Sequence, residues 1–147
     1  MAEHNIIGQK GEQIAVETMR KKGFRVVDTN WKFGHLEMDV IAVNRKEIAF
    51  VEVKTRTSSF GDKRPEEFVD ELKRRRMAAA ANAYIKIHQI ELVPRFDIIG
   101  ITMDPNTYEV KELTHLEDAF LPPQRTIGKS SFSGQSRWKH RGRVIGK

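Results

Sequence analysis

Residues 36–56 read LEMDVIAVNRKEIAFVEVKTR. Two apolar runs, 36–43 and 46–56, flank the tight polar link Asn44-Arg45-Lys46, which is the pattern of a β-hairpin. Each run carries charge where a buried strand should not. Glu52 and Lys54 are two residues apart, and side chains alternate along a strand, so they share one face while Val51 and Val53 share the other. Asp39 lies between Met38 and Val40 in the first run. If the runs pair as a hairpin, Asp39 comes close to Glu52. Burying an unpaired charge is costly, and two adjacent carboxylates repel unless a cation or a proton lies between them. A Glu52–Lys54 salt bridge on a solvent-facing strand side is one resolution; a bound cation with an anionic substrate is the other.

Working outward, residues 7–22 (IGQKGEQIAVETMRKK) have a helical period with Lys10, Gln13, Glu17 and Lys21 on one polar face, and Gly23 is a stop signal. On such a helix Glu12 falls about 20° from Met19 and about 40° from Val16. It therefore projects toward the sheet, and Gly8 and Gly11 allow close approach beside it. FRVVDTN (24–30) reads as a strand. Pro65, Glu66 and Glu67 open a second helix that runs to about His88, with Phe68, Val69, Leu72, Ala79, Ala80 and Ala83 as its apolar stripe. RFDIIGIT (95–102) is a strand buried on both faces. YEVKEL (108–113) adds an edge strand, and THLEDAF (114–120) reads as a short helical stretch. The order α-β-β-β-α-β implies an α/β fold with a mixed central sheet flanked by helices.

The chain of 147 residues is long enough for one domain with a usable core. It has no apolar run of the ~20 residues a membrane span needs, and its first residues do not read as a signal peptide. The absence of cysteine excludes disulfides and thiolate chemistry and fits a reducing cytoplasm. The net charge of +6 is unevenly placed. Residues 122–147 hold seven bases and no acid, which leaves 19 bases against 20 acids in residues 1–121. The expected organisation is an α/β domain over 1–121 and a basic tail over 122–147, disordered in isolation.

An oxygen-only donor set suits Mg²⁺ or Mn²⁺ rather than Zn²⁺. A lysine beside it can orient a water or stabilise phosphate charge. Asp39, twelve residues, then Glu52-Val53-Lys54 resembles the D…(D/E)xK signature of the PD-(D/E)xK nuclease superfamily. Over roughly residues 7–102 the chain closely resembles the YraN-like family of bacterial proteins, carried by GQKGEQ, LEMDVIA, FVEVKTR, the helix after it and RFDIIGI. The resemblance implies a restriction-endonuclease-like core similar to archaeal Holliday-junction resolvases, with Asp39 and Glu52 as metal ligands, the Val53 carbonyl as a further one, and Lys54 as the catalytic lysine. It implies that Glu12 completes the site. Glu37, preceded by His35-Leu36 where many members have glycine directly before this acid, is either another ligand or a plain strand carboxylate.

The expected activity is metal-dependent hydrolysis of phosphodiester bonds of DNA, branched or structured DNA included. The alternatives are a non-catalytic nucleic-acid-binding module with the same fold, and an adaptor that uses its tail as a peptide ligand. Lys73, Arg74, Arg75 and Arg76 cannot all lie opposite a packed helix face, since four residues spread over about 300°. They either touch phosphates or snorkel. Arg56, with Lys32, His35 and Lys63, is a further phosphate candidate, as are Arg137, Lys139, Arg141 and Arg143 of the tail. Trp31 and Phe33 read as core residues or as a base-stacking pair. His35, His88 and His115 read as surface or boundary residues. By analogy with branched-DNA cutters, a homodimer fits.

Overall fold

The hairpin of residues 36–56 is the centre of a five-stranded sheet. A computed structural model describes residues 2–57 and 69–120. In chain order these form α1 (Ala2–Lys21), β1 (Arg25–Phe33), β2 (Leu36–Val43), β3 (Glu47–Arg56), α2 (Glu71–His88), β4 (Val93–Met103) and β5 (Val110–Phe120). The strands lie in sequence order. All neighbours are antiparallel except β3 and β4, which are parallel and joined through α2, because a parallel pair needs a long crossover. The result is an α/β fold with a mixed sheet flanked by helices.

The turns follow from local chemistry. Asn44 Oδ1 accepts from the amides of Lys46 and Glu47 at 2.9 and 2.7 Å and closes the β2–β3 link. Gly23, at φ +93°, ends α1 as the sequence predicts; Gly23 N donates to Arg20 O and Phe24 N to Met19 O, the two bonds of a Schellman cap. Alternation along β2 and β3 sends Val40, Ala42, Ala49 and Val51 to one face, against Ala15 and Met19 of α1. Ile41, Ile48 and Phe50 go to the other, against Met77, Ala81, Tyr84 and Ile85 of α2. β4, buried from Arg95 to Met103, contributes to both.

Three expectations are corrected. Helix α2 starts at Glu71, not at Pro65: Asp70 is its cap, accepting from Lys73 N at 2.9 Å. The acids that resembled a helix start, Glu66 and Glu67, lie outside the described residues with Pro65 and Lys63. The buried face of α2 is Met77, Ala80, Ala81, Tyr84 and Ile85, and Leu72 is 54% exposed, so only part of the expected stripe packs. Finally, 114–120 is strand, not helix. Leu113, Leu116 and Phe120 have helical spacing, but a positive φ at Asp118 and a register shift between Phe96 and Ile98 bring both Leu116 and Phe120 against β4. Ladder bonding to β4 overrides local periodicity. The basic stretch with Arg137, Lys139, Arg141 and Arg143 lies outside the described residues. Among the described residues no helix is long and apolar enough to cross a membrane.

Candidate active site

The β2–β3 ladder runs from Val43–Ile48 to Val40–Val51 and stops. The next step in that register sets Asp39 opposite Glu52. There the strands part, and the Asp39 carboxylate fills the gap: Oδ2 accepts from Val53 N at 2.9 Å. Glu52 is buried, with 5% of its surface exposed, and its carboxyl is close enough to hydrogen-bond to that of Asp39. The pair nominated by sequence is thus assembled, side by side and largely out of water. Burial, then the Glu52 charge, pushes the Asp39 carboxyl up to about 7. Burial also raises Glu52, against the pull of Lys73 and Lys54.

Glu12 reaches this end of the sheet because α1 packs tightly there. A Cβ on Gly11 would overlap the Thr55 side chain on β3, so only glycine permits the contact. Glu12 is half-buried and accepts from Asn30 Nδ2 at 2.8 Å. It is near enough to push Asp39 further up, yet among the described residues no three acidic or imidazole side chains gather into a ready-made ion cage. Lys54 is half-buried, and alternation puts it on the face of Glu52. Glu37 is exposed and paired across the hairpin with Lys32.

The basic run of α2 is divided by its contacts. Lys73 and Arg74 lie beside the packed face, as the helical geometry requires. Lys73 Nζ is 3.5 Å from Glu52 Oε1. Arg74 Nε donates to Val69 O at 3.1 Å, and its guanidinium stands over the Phe120 ring. Arg75 pairs with Glu71 at 2.9 Å. Arg76 is exposed at the end of the run, as is Arg56 at the end of β3. Trp31 packs against the core, edge-on to Tyr84, and Phe33 stacks on its outer side, 48% exposed.

Residues 11–101, which hold Glu12, Asp39, Glu52, Lys54 and Lys73, match the Uncharacterised protein family UPF0102. The chain belongs to UPF0102. A UPF0102 protein of Parabacteroides distasonis is 42% identical over 125 residues, 85% of this chain and 100% of that one. One from Bacteroides thetaiotaomicron is 40% identical over 123 residues, covering 84% and 98%. One from Porphyromonas gingivalis is 39% identical over 120 residues, covering 82% and 87%. This is the YraN-like family that the sequence resembles.

The UPF0102 chain holds a second charged cluster that sequence reading missed. Asp97 is fully buried. It accepts from Arg95 at 2.9 Å, from Asp118 N at 3.0 Å and binds His115 Nε2 at 2.7 Å. His115 is therefore a boundary residue, half-buried as a whole with its side chain turned inward and 3% exposed. Its Nδ1 faces Lys22 Nζ at 2.8 Å, and Lys22 also pairs with Glu117 at 2.9 Å. Burial pushes the Asp97 carboxyl up, but hydrogen bonds from His115, Asp118 N and Arg95 outweigh it and hold it below its usual value. An acid inside the apolar run FDIIGI was the available signal, the same one that marks Asp39.

The donor set of the UPF0102 site fits a hard divalent cation. Asp39 and Glu52 offer two adjacent oxygen ligands whose mutual repulsion a cation relieves. This gives a pH prediction for metal-free protein. Asp39 is raised from 3.8 to about 7, so between those values the folded state holds a proton that the unfolded state has lost. Stability must then fall as pH rises through that window, by at most ~1.4 kcal/mol per pH unit. Urea unfolding from pH 4 to 8 is expected to show the fall in wild type and a flatter profile in Asp39→Asn. Equal slopes in the two proteins would remove Asp39 as its source.

Proposed function

We propose that this protein hydrolyses phosphodiester bonds of nucleic acid, DNA foremost and branched or structured DNA within it, with Mg²⁺ or Mn²⁺ as cofactor, on a restriction-endonuclease-like core. The observation that carries the reading is the Asp39–Glu52 pair, Glu52 buried and Asp39 half-buried, at the point where β2 and β3 part, with Lys54 one strand repeat beyond Glu52. Asp39, Glu52 and the Val53 carbonyl would hold the ion. A divalent cation supplies Lewis acidity and a more acidic bound water. Lys54 positions the attacking water and meets charge developing on the phosphate. Glu12 reinforces the negative field at Asp39 and orders Asn30 beside it.

The test is incubation with linear, single-stranded, gapped and four-way DNA and with RNA, in Mg²⁺, Mn²⁺ or chelator. Metal-dependent scission of at least one substrate is expected. No scission at stoichiometric protein would leave the second reading, a binding module without catalysis. That reading has its own support, since Lys73 and Asn30 already engage Glu52 and Glu12. The seven bases of 122–147 supply non-specific attraction to phosphate. Deleting them is expected to weaken DNA binding and to flatten log Kd against log salt; an unchanged slope would show that the tail does not touch phosphates.

A further inference from the structure

The first turn of α2 breaks a rule of helix ends. The amino end of a helix favours negative charge, and the third position takes Glu or Gln when it completes a capping box. Here, with Asp70 as cap, that position is Lys73, followed by three arginines. Two of the arginines are accounted for within their own neighbourhood, Arg75 by Glu71 and Arg74 by Val69 O and Phe120, and Arg76 is solvated. Lys73 reaches out of its helix instead, to Glu52 on β3. Its side chain is 39% exposed while that of Glu52 is 7% exposed. A flexible, part-solvated ammonium is thus laid over a buried carboxylate, at a length of 3.5 Å that leaves the pair readily opened. Lys54, the lysine marked by sequence, makes no such contact among the described residues.

We infer that Lys73 is a positioning residue, the resident counter-ion of the Asp39–Glu52 pair, which exchanges places with a divalent cation when the site is loaded. The inference rests on the metal reading above. In the metal-free protein Lys73 lies against the Glu52 carboxylate, beside the gap between the strands. A cation entering that gap needs the same carboxylate oxygens, so Lys73 opposes loading. A place-holder of this kind makes the fold tolerate the empty pair and sets the metal concentration at which the site fills.

The test is direct Mn²⁺ binding, read from free Mn²⁺ by electron paramagnetic resonance at fixed pH and salt. Lys73→Gln is expected to bind Mn²⁺ on the order of tenfold more tightly than wild type, and to be less stable without metal but not at saturating Mn²⁺. Lys73→Arg, which keeps the charge, is expected to stay near wild type. A purely structural Lys73 would move stability and not Mn²⁺ affinity. Equal or weaker binding by the glutamine variant overturns the inference while leaving the metal site intact. No Mn²⁺ binding by wild type or variant at millimolar metal overturns both. Should Lys73→Gln fail to fold, wild type with ¹³C-dimethylated lysines gives a second measurement. The resonance missing from Lys73→Arg is expected to shift on adding Mg²⁺, and a Lys73 signal that does not move would refute the exchange.

Discussion

Asp97→Ala is expected to cost the fold about 3–5 kcal/mol, the usual loss when one partner of a buried charge network is removed. For a chain of this length that is a fall in melting temperature on the order of 10 °C. The size follows from what the substitution strands. Arg95, 9% exposed, loses its shortest ion pair and keeps contacts to Glu47 at 3.2 Å and Glu117 at 3.5 Å. Its Nε has no hydrogen-bond partner among the described residues. His115, its side chain 3% exposed, loses the acceptor of its Nε2, and Asp118 N is left without an acceptor where β5 shifts register. The tie between the end of α1 and β5 runs through His115 and Lys22, so the loss spreads to an edge strand. Because the Asp97 carboxyl lies below its usual value in the folded state, its contribution is complete above about pH 4 and fades only as pH falls through that lowered value. Thermal and urea unfolding at pH 7 measure the effect. A loss under ~1 kcal/mol would mean that the cluster behaves as a solvated surface pair.

Lys54→Met is expected to lower metal-dependent cleavage by on the order of 10²–10³-fold, the range for losing one preorganised charge at a reacting centre. Stability should scarcely change, and the structure explains why the two effects separate. Among the described residues the cation in contact with Glu52 is Lys73, not Lys54, so removing Lys54 does not leave a buried carboxylate unpaired. Single-turnover cleavage at saturating Mn²⁺, with melting temperatures measured alongside, checks both halves. A large drop in melting temperature with cleavage per folded molecule intact would make Lys54 a structural partner and remove it from the chemistry.

Much of the site could be read from the chain because its pieces are local. Asp39 and Glu52 sit on the two arms of one hairpin, and the Asn44 turn fixes their register. Glu12 could be placed by helix geometry, and its glycine neighbour by the need for close approach. The basic run 73–76 could be placed beside a packed face, but not assigned to partners. Lys73 meets an acid 21 positions away, and only the crossover from β3 through α2 sets that distance. The start of α2 departs from the sequence expectation for a related reason: proline and two acids are a good local signal, but Asp70 makes the cap.

The sequence by itself determined the α/β class, the central hairpin, the carboxylate pair with its lysine, and the charge imbalance of the tail. Each of these depends on period, turn chemistry or composition within a few residues. The tertiary structure alone decided that 114–120 is strand, that Lys73 covers Glu52, and that the His115 side chain is turned inward onto Asp97. An edge segment takes the conformation that satisfies the open ladder of β4, whatever its own periodicity. A buried charge takes whichever partner the packing delivers, and Asp97 and His115 are 18 positions apart. Long-range electrostatics leaves no local pattern in the chain, because the energy belongs to the pair and the pair exists only in the fold.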